Sequence, residues 1–213
     1  MAATCERVSV VADMTPAFHT TETVAGHVLC DQTCHVIIRR ELPSDNGAVS
    51  FVHHGAFAAL TPPGLVPVEP GLVEALRSGP TWLPPLSLVC EHATDGIVGH
   101  VCATRGDVDG YPALALGPIG VLPEMARCGI GSALMHAVLG AADALDESIV
   151  VLVGHLDYYP RFGFVPAADL GVTPDVPEWA PHMQARTLTA YRPEMTGEFR
   201  YPVPFYEFGG ARS

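Results

Sequence analysis

One apolar segment near the middle of the chain has the composition of a central β-strand but contains residues that such a strand excludes. The run 116–123 reads LGPIGVLP, with Pro118 between two glycines. Proline cannot donate a hydrogen bond to a neighbouring strand, and glycine within a strand often marks a bulge or a close backbone approach. We therefore expect this strand to be bulged or splayed from a neighbour. Its freed backbone groups could then pair with a ligand that carries its own amides.

A glycine-rich turn follows this strand and opens the strongest helical pattern in the sequence. Gly129 and Gly131 stand at its start, and apolar residues recur at helical spacing from Ile130 to Leu145. Glycines at a helix N-terminus let free N–H groups approach a phosphate, whose charge the helix dipole favours. Arg127 adds a full positive charge. An ordinary glycine-rich turn is the alternative, and the irregular strand directly upstream favours a ligand site.

The order of predicted elements indicates a mixed α/β architecture. The predicted order is strand 36–39, a helix to about residue 60, loop 61–71, helix 72–77, strands 86–90, 97–103 and 113–121, helix 128–145, strand 149–153, a short helix near residue 157, and further strands toward the C-terminus. An antiparallel run that opens into a strand–helix–strand crossover is typical of a mixed sheet. We expect one domain, residues 36–213, preceded by a loosely structured arm, residues 1–35.

Composition excludes several classes of function. All eleven basic residues are arginine, so the chain has no lysine for a Walker-type phosphate loop or for imine catalysis. A formal net charge of −12 argues against a nucleic-acid partner. The six cysteines form no CxxC pair, and no apolar stretch approaches the roughly 20 residues that span a bilayer. We expect a cytoplasmic protein without a membrane partner.

Four residues of types that bind zinc occur together in the N-terminal arm. They are His27, Cys30, Cys34 and His35. Structural zinc sites usually combine two paired ligand knuckles, whereas a single CxxxC stands alone here. We therefore expect no metal site.

The segment Leu116 to Ser132 resembles the acetyl-CoA motif of the GCN5-related N-acetyltransferase (GNAT) superfamily. The family pattern is Q/R-x-x-G-x-G/A, and residues 126–131 read ARCGIG, so both glycines match while alanine stands at the first position. The resemblance implies that main-chain groups of the strand pair with the pantetheine arm and that amides of the turn hold the pyrophosphate. The residues implied are Ile119, Gly120 and Val121 on the strand, and Arg127, Cys128, Gly129, Ile130, Gly131 and Ser132 in the turn.

A second match lies about 25 residues further on. Residues 154–164 read GHLDYYPRFGF, which resembles the tyrosine-then-Gly-Phe signature of the same superfamily and a branch of predicted N-acetyltransferases with this tyrosine doublet. By this resemblance Tyr159 lies near the CoA sulfur and protonates the leaving thiolate, a contribution of about 10²–10⁴-fold. A core tyrosine is the alternative for Tyr159 alone, and the two motifs together favour catalysis.

The general base is not assigned by the sequence. Many members of the superfamily place a glutamate on the bulged strand, but residues 113–121 contain no ionisable side chain. The candidates are His53, His54, Asp107, Glu124 and a water relayed by backbone carbonyls. An acyl-enzyme at Cys128, whose place beside Arg127 favours a thiolate, is an alternative to direct attack. No histidine is placed near it by sequence, so we expect direct attack.

The resemblance covers about residues 36–208 and implies a GNAT-like acyl-CoA N-acyltransferase fold with a splayed central sheet. It implies transfer of an acetyl group from acetyl-CoA to a small-molecule or peptide amine. The alternative is a non-catalytic acyl-CoA-binding or regulatory module, which alanine at position 126 and the missing glutamate favour. A dinucleotide-binding oxidoreductase would need G-x-G-x-x-G, and position 134 is leucine.

The aromatic C-terminal runs, residues 199–201 and 205–208, have two interpretations. They could form the edge of a homodimer, or they could be terminal strands that cover the core.

Overall fold

The structure of the chain is a computed structural model that describes residues 36–209. Its strands are β1 Val36–Arg40, β2 Trp82–His92, β3 Gly96–Val108, β4 Tyr111–Val121, β5 Ile149–Val153, β6 Val165–Pro166, β7 Val172–Pro174, β8 Met183–Thr187 and β9 Gly197–Arg200. Its helices are α1 Asn46–Ala58, α2 Glu69–Ser78, α3 Ile130–Ala144 and α4 Val203–Gly209. The predicted arm, with the four candidate zinc ligands, lies outside the described residues.

The strands form one mixed sheet. Their order is β1-β2-β3-β4-β5-β8-β6, and β9 pairs with both β3 and β7. The pairs β4–β5 and β7–β9 are parallel, while the other pairs are antiparallel. The predicted mixed α/β fold class is therefore confirmed.

Strand β4 parts from β5 after a short stretch of pairing. The two strands pair only at Leu114–Val150 and Ala115–Val151, whereas β4 stays paired with β3 as far as Val121. A gap therefore opens in the middle of the sheet beyond Ala115, and the predicted split is confirmed.

Strand β4 is also bulged where the sequence predicts it. Val101 pairs with Ile119 while Ala103 pairs with Leu116, so two residues of β4 oppose the single residue Cys102. These two residues are Gly117 and Pro118, and the Cys102 thiol donates to the Gly117 carbonyl at 3.2 Å. The bulge occurs here because proline supplies no ladder donor and Gly117 adopts a φ of 139°.

The helices cover opposite faces of the sheet. A Cβ on Gly99 would lie 3.0 Å from side-chain atoms of both Ile130 and Leu134, so Gly99 faces α3. Gly120 pairs with the residue after Gly99 and contacts His53 of α1, because successive strand residues point to opposite faces. The larger apolar cluster lies on the α3 side, and a second one lies under α2 and α4.

Several element boundaries differ from the sequence prediction, and one element differs in type. Helix α2 begins at Glu69 instead of Leu72, because Pro70 occupies its first turn, where a missing N–H costs nothing. Strand β2 begins at Trp82 instead of Leu86, since its two prolines fall where its register with β3 is interrupted. Residues 205–208 are part of helix α4, and their prediction as a strand was wrong. Phe208 packs against Gly71 of α2, a contact with no local sequence signal.

Among residues 36–209, no helix has the length and apolar character needed to cross a membrane.

The packing of β9 on β3 predicts a strong effect of Gly106→Ala. A Cβ at this position would lie 2.7 Å from Cζ of Phe199 and 2.8 Å from the Arg200 carbonyl oxygen. We expect a loss of about 1–3 kcal/mol in the free energy of unfolding, measured by urea denaturation, because backbone cannot yield as a flexible side chain does. The control Gly140→Ala, in an open position on α3, should stabilise by about 0.5–1 kcal/mol. Equal stability of both variants would contradict this packing.

Candidate active site

The parted edge of β4 leaves backbone groups without a strand partner. The N–H of Leu122 donates to the Val98 carbonyl on β3 at 2.9 Å. Because backbone direction alternates along an antiparallel strand, Gly120 also faces β3, whereas Ile119 and Val121 direct their N–H and C=O groups toward the gap. Those groups need partners from outside the sheet, so this edge can pair with a ligand that carries amides.

The loop between β4 and α3 presents a second set of free amides. Residues 126–129 are exposed, and Arg127 and Gly129 have φ values of 65° and 81°. Gly129 is the N-cap of α3, and no side chain caps this helix. The N–H groups of the first turn, including those of Gly131 and Ser132, therefore stay available for an anion.

Cys128 is exposed in this loop. Its thiol donates to the Ala126 carbonyl of the same loop at 3.7 Å.

Tyr159 lies at the carboxyl end of β5 and is completely buried. Its ring packs edge-on against Tyr158 and Phe164, with centroids 5.0 and 5.8 Å away. A Cβ on Gly154 would lie 2.5 Å from Cε2 of Tyr159, so only glycine admits the ring there. Burial raises the pKa of this phenol well above its ordinary value, and so does the charge of Tyr158. Its buried hydroxyl has no hydrogen-bond partner among the described residues, so it is a protonated donor without an acceptor.

Its neighbour Tyr158 is only half-buried. Burial raises the pKa of the Tyr158 phenol, while the nearby side chain of Ser132 and the charge of Arg161 lower it. The Tyr158 hydroxyl, like that of Tyr159, is buried without a hydrogen-bond partner among the described residues.

Another unpaired phenol, Tyr201, belongs to the opposite face of the sheet. Its buried hydroxyl also has no partner among the described residues. Its ring packs against Phe205, with centroids 4.9 Å apart, and Phe205 reaches 4.0 Å from the Cβ position of Gly117 in the bulge. Burial raises the pKa of Tyr201, and Tyr159 contributes to that rise. Sequence reasoning missed Tyr201, because only its aromatic surroundings were visible along the chain.

Tyr206, in the same region, has a hydroxyl that forms hydrogen bonds. Its hydroxyl donates to Oδ2 of Asp175 at 2.5 Å and accepts from the Tyr201 N–H at 2.9 Å. Burial and the bond to Asp175 raise the pKa of Tyr206.

The four candidate bases are placed very differently. His54 and Glu124 are exposed, and Asp107 accepts from the Gly110 N–H at 2.9 Å within the β3–β4 turn. His53 alone is buried against β4, where a Cβ on Gly120 would lie 3.0 Å from its Nδ1 atom. No group of three or more metal-ligating side chains occurs within residues 36–209.

Comparison with known proteins places the chain in one family. The family model described as "Acetyltransferase (GNAT) domain" matches residues 85–166, which include the bulge, the α3 loop and the tyrosine doublet. The uncharacterized N-acetyltransferase YjhQ of Escherichia coli K12 is 31% identical over 144 residues, covering 64% of this chain and 79% of that protein.

Solved structures agree with this comparison. A GNAT family acetyltransferase from Brucella melitensis in complex with acetyl-CoA is 28% identical, with a TM-score of 0.66, covering 80% of this chain and 98% of that chain. The GNAT family N-acetyltransferase YhbS from Escherichia coli in complex with CoA is 24% identical, with a TM-score of 0.71, covering 90% of this chain and 98% of that chain.

The unpaired hydroxyl of Tyr159 predicts an unusual effect on stability. Tyr159→Phe removes a buried donor without a partner and leaves the ring, so we expect unchanged or higher stability in urea, with a gain of up to about 1–3 kcal/mol. Tyr206→Phe is the matched control: it breaks two hydrogen bonds and should destabilise the protein by about 1–3 kcal/mol. A clear loss of stability in Tyr159→Phe would mean that its hydroxyl is paired.

Proposed function

Because this chain belongs to the GNAT acetyltransferase superfamily, an acetyl-CoA-dependent family, we propose that it transfers the acetyl group directly to the amine of a small molecule or peptide. The observation that carries this proposal is the open edge of β4, which leads to the uncapped first turn of α3. The Brucella melitensis relative, whose structure holds acetyl-CoA, supports the same ligand for this chain.

Acetyl-CoA fits the two sets of free backbone groups. The amides of its pantetheine arm pair with Ile119 and Val121, and Gly120 between them keeps the strand flat against α1. Its pyrophosphate lies against the amides of residues 127–132, where the helix dipole and the Arg127 guanidinium favour negative charge. Alanine at position 126 removes only a side-chain contact, since the backbone contacts do not depend on it.

Direct attack needs few protein groups. The amine nitrogen attacks the thioester carbonyl carbon, the C–N bond forms and the C–S bond breaks. Tyr159 gives its hydroxyl proton to the departing sulfur, and the amine gives up one proton, so that the products are an amide and CoA thiol. A backbone N–H of the bulged strand stabilises the oxyanion.

The acceptor approaches from the side of α1, α2 and α4. A formal net charge of −12 favours a cationic acceptor, because like charges between enzyme and substrate slow their encounter.

Binding can be tested by thermal unfolding with acetyl-CoA, with NADH as the control ligand. Saturation at about 100 times Kd should add roughly 2.7 kcal/mol, which is a rise of several degrees in Tm for a chain of this size. Gly129→Ala should reduce this rise, because φ of 81° is strained for alanine. Gly110→Ala is the matched control: its φ is 86° and it also faces open space, but it lies in the β3–β4 turn, so the acetyl-CoA shift should persist. Absence of any shift in the wild type would contradict the proposed function.

Catalysis by Tyr159 can be tested through the release of CoA thiol from acetyl-CoA with a panel of primary amines. Tyr159→Phe should lower kcat by about 10²–10⁴-fold and keep the acetyl-CoA shift in Tm, because only the proton donor is lost. Tyr158→Phe, the neighbouring substitution, should retain most activity. The reverse pattern would assign the acid to Tyr158, and binding without transfer in the wild type would favour the non-catalytic module.

A further inference from the structure

A chain of polar side chains runs from the end of β1 to the underside of β4. His53 Nε2 lies 2.8 Å from His100 Nδ1, and His100 Nε2 lies 3.0 Å from Ser87 Oγ and 3.4 Å from Glu41 Oε2. Glu41 also accepts from Arg77, with Nη2 at 2.6 Å and Nε at 3.1 Å. Both histidines are completely buried, and the reaction proposed above uses none of these groups.

The carboxylate at one end fixes the direction of every hydrogen bond in this chain. Burial opposes ionisation of Glu41, but hydrogen bonds from His100 and Ser87 and the charge of Arg77 lower its pKa to about 2. An ionised carboxylate can only accept hydrogen bonds. The Ser87 hydroxyl donates to Glu41, and therefore the proton of His100 is on Nε2, where it points at Ser87 and Glu41.

The same reasoning leaves a free lone pair on His53. Burial lowers the pKa of both His53 and His100, so both rings are neutral. With its proton on Nε2, His100 must accept at Nδ1, and the donor is Nε2–H of His53. Nδ1 of His53 therefore carries no proton, and it has no hydrogen-bond partner among the described residues.

This lone pair faces the part of β4 that binds acetyl-CoA in the proposed function. Gly120 lies directly beneath Nδ1, between Ile119 and Val121, and its missing side chain leaves the imidazole against the strand. A buried acceptor that is fixed in orientation and unpaired is costly for stability alone. A proton-accepting role for Nδ1 accounts for that cost.

We infer that His53 is the general base of acetyl transfer and that His100, Ser87 and Glu41 are positioning residues that hold its ring, an inference that rests on the proposed function. As the C–N bond forms, the amine proton passes to Nδ1 of His53. The positive charge that His53 gains is stabilised through its hydrogen bond to His100 by the carboxylate of Glu41, which stays ionised. The sulfur takes its proton from Tyr159, and the proton gained by the histidine chain returns to Tyr159 after the products leave. Because His53 has no exposed surface, α1 must shift away from β4 when the acceptor binds.

The orientation of His53 can be measured on the whole protein without any substrate. Long-range ¹H–¹⁵N spectra of histidine-labelled protein at neutral pH should show His53 and His100 as Nε2–H tautomers, with signals assigned by His53→Gln and His100→Gln. A protonated Nδ1 on His53 would overturn the inference.

Kinetics with the amine panel test the role of the base. His53→Gln keeps an N–H donor toward His100 but has no base at Nδ1, so kcat should fall by about 10²–10⁴-fold, with partial recovery at high pH as more free amine forms. The matched control His54→Gln, an exposed neighbour on α1, should behave as the wild type. Both variants should keep the acetyl-CoA shift in Tm, which also shows that they fold.

The positioning residues give an independent readout. Glu41→Gln should change the pH profile of kcat/KM more than the acetyl-CoA shift in Tm, because the group that orients the rings is lost. The other charged groups that act on this chain are Arg77 on α2 and Asp45 before α1, and both stay in place. Wild-type kcat in His53→Gln would overturn the inference and leave the proposed function standing, whereas a wild type that acetylates no amine would contradict both.

Discussion

The separation of β4 from β5 is the feature on which the rest of the structure depends. Two residue pairs hold the strands together at Leu114 and Ala115, and the bulge at Gly117–Pro118 follows at once. Past that point Ile119 and Val121 have no strand partner for their outward-facing groups. Unpaired backbone groups in a protein interior are costly, so an open edge in the middle of a sheet persists where a ligand completes it.

Several unpaired polar atoms lie around this opening. The hydroxyls of Tyr159 and Tyr201 and Nδ1 of His53 are buried without partners among the described residues, at a cost of about 1–3 kcal/mol each. Other polar groups are paired, as in the ion pair of Arg105 with Glu147, while Asn46, Glu69 and Asp175 each leave one buried oxygen without a partner among the described residues.

The proposed acid and base belong to opposite faces of the sheet. Tyr159 packs in the cluster under α3, whereas His53 lies on α1 and contacts β4 from the other side. Such an arrangement keeps the proton donor at the leaving sulfur and the proton acceptor at the incoming amine without a direct bond between them. It also lets the environment set each group separately: burial keeps the phenol protonated and the imidazole neutral.

The sequence by itself determined the features that local backbone chemistry controls. Pro118 predicted the irregular strand, Gly129 and Gly131 the glycine-rich turn that opens α3, and the apolar run 149–153 the whole of β5. The tertiary structure alone decided which distant side chains meet. His53 and His100 are 47 residues apart and form a hydrogen bond only because α1 packs on β3. Residues 205–208 are helical in the fold, where they contact α2. Proline and glycine act through their own dihedral angles, whereas these contacts depend on how whole elements pack.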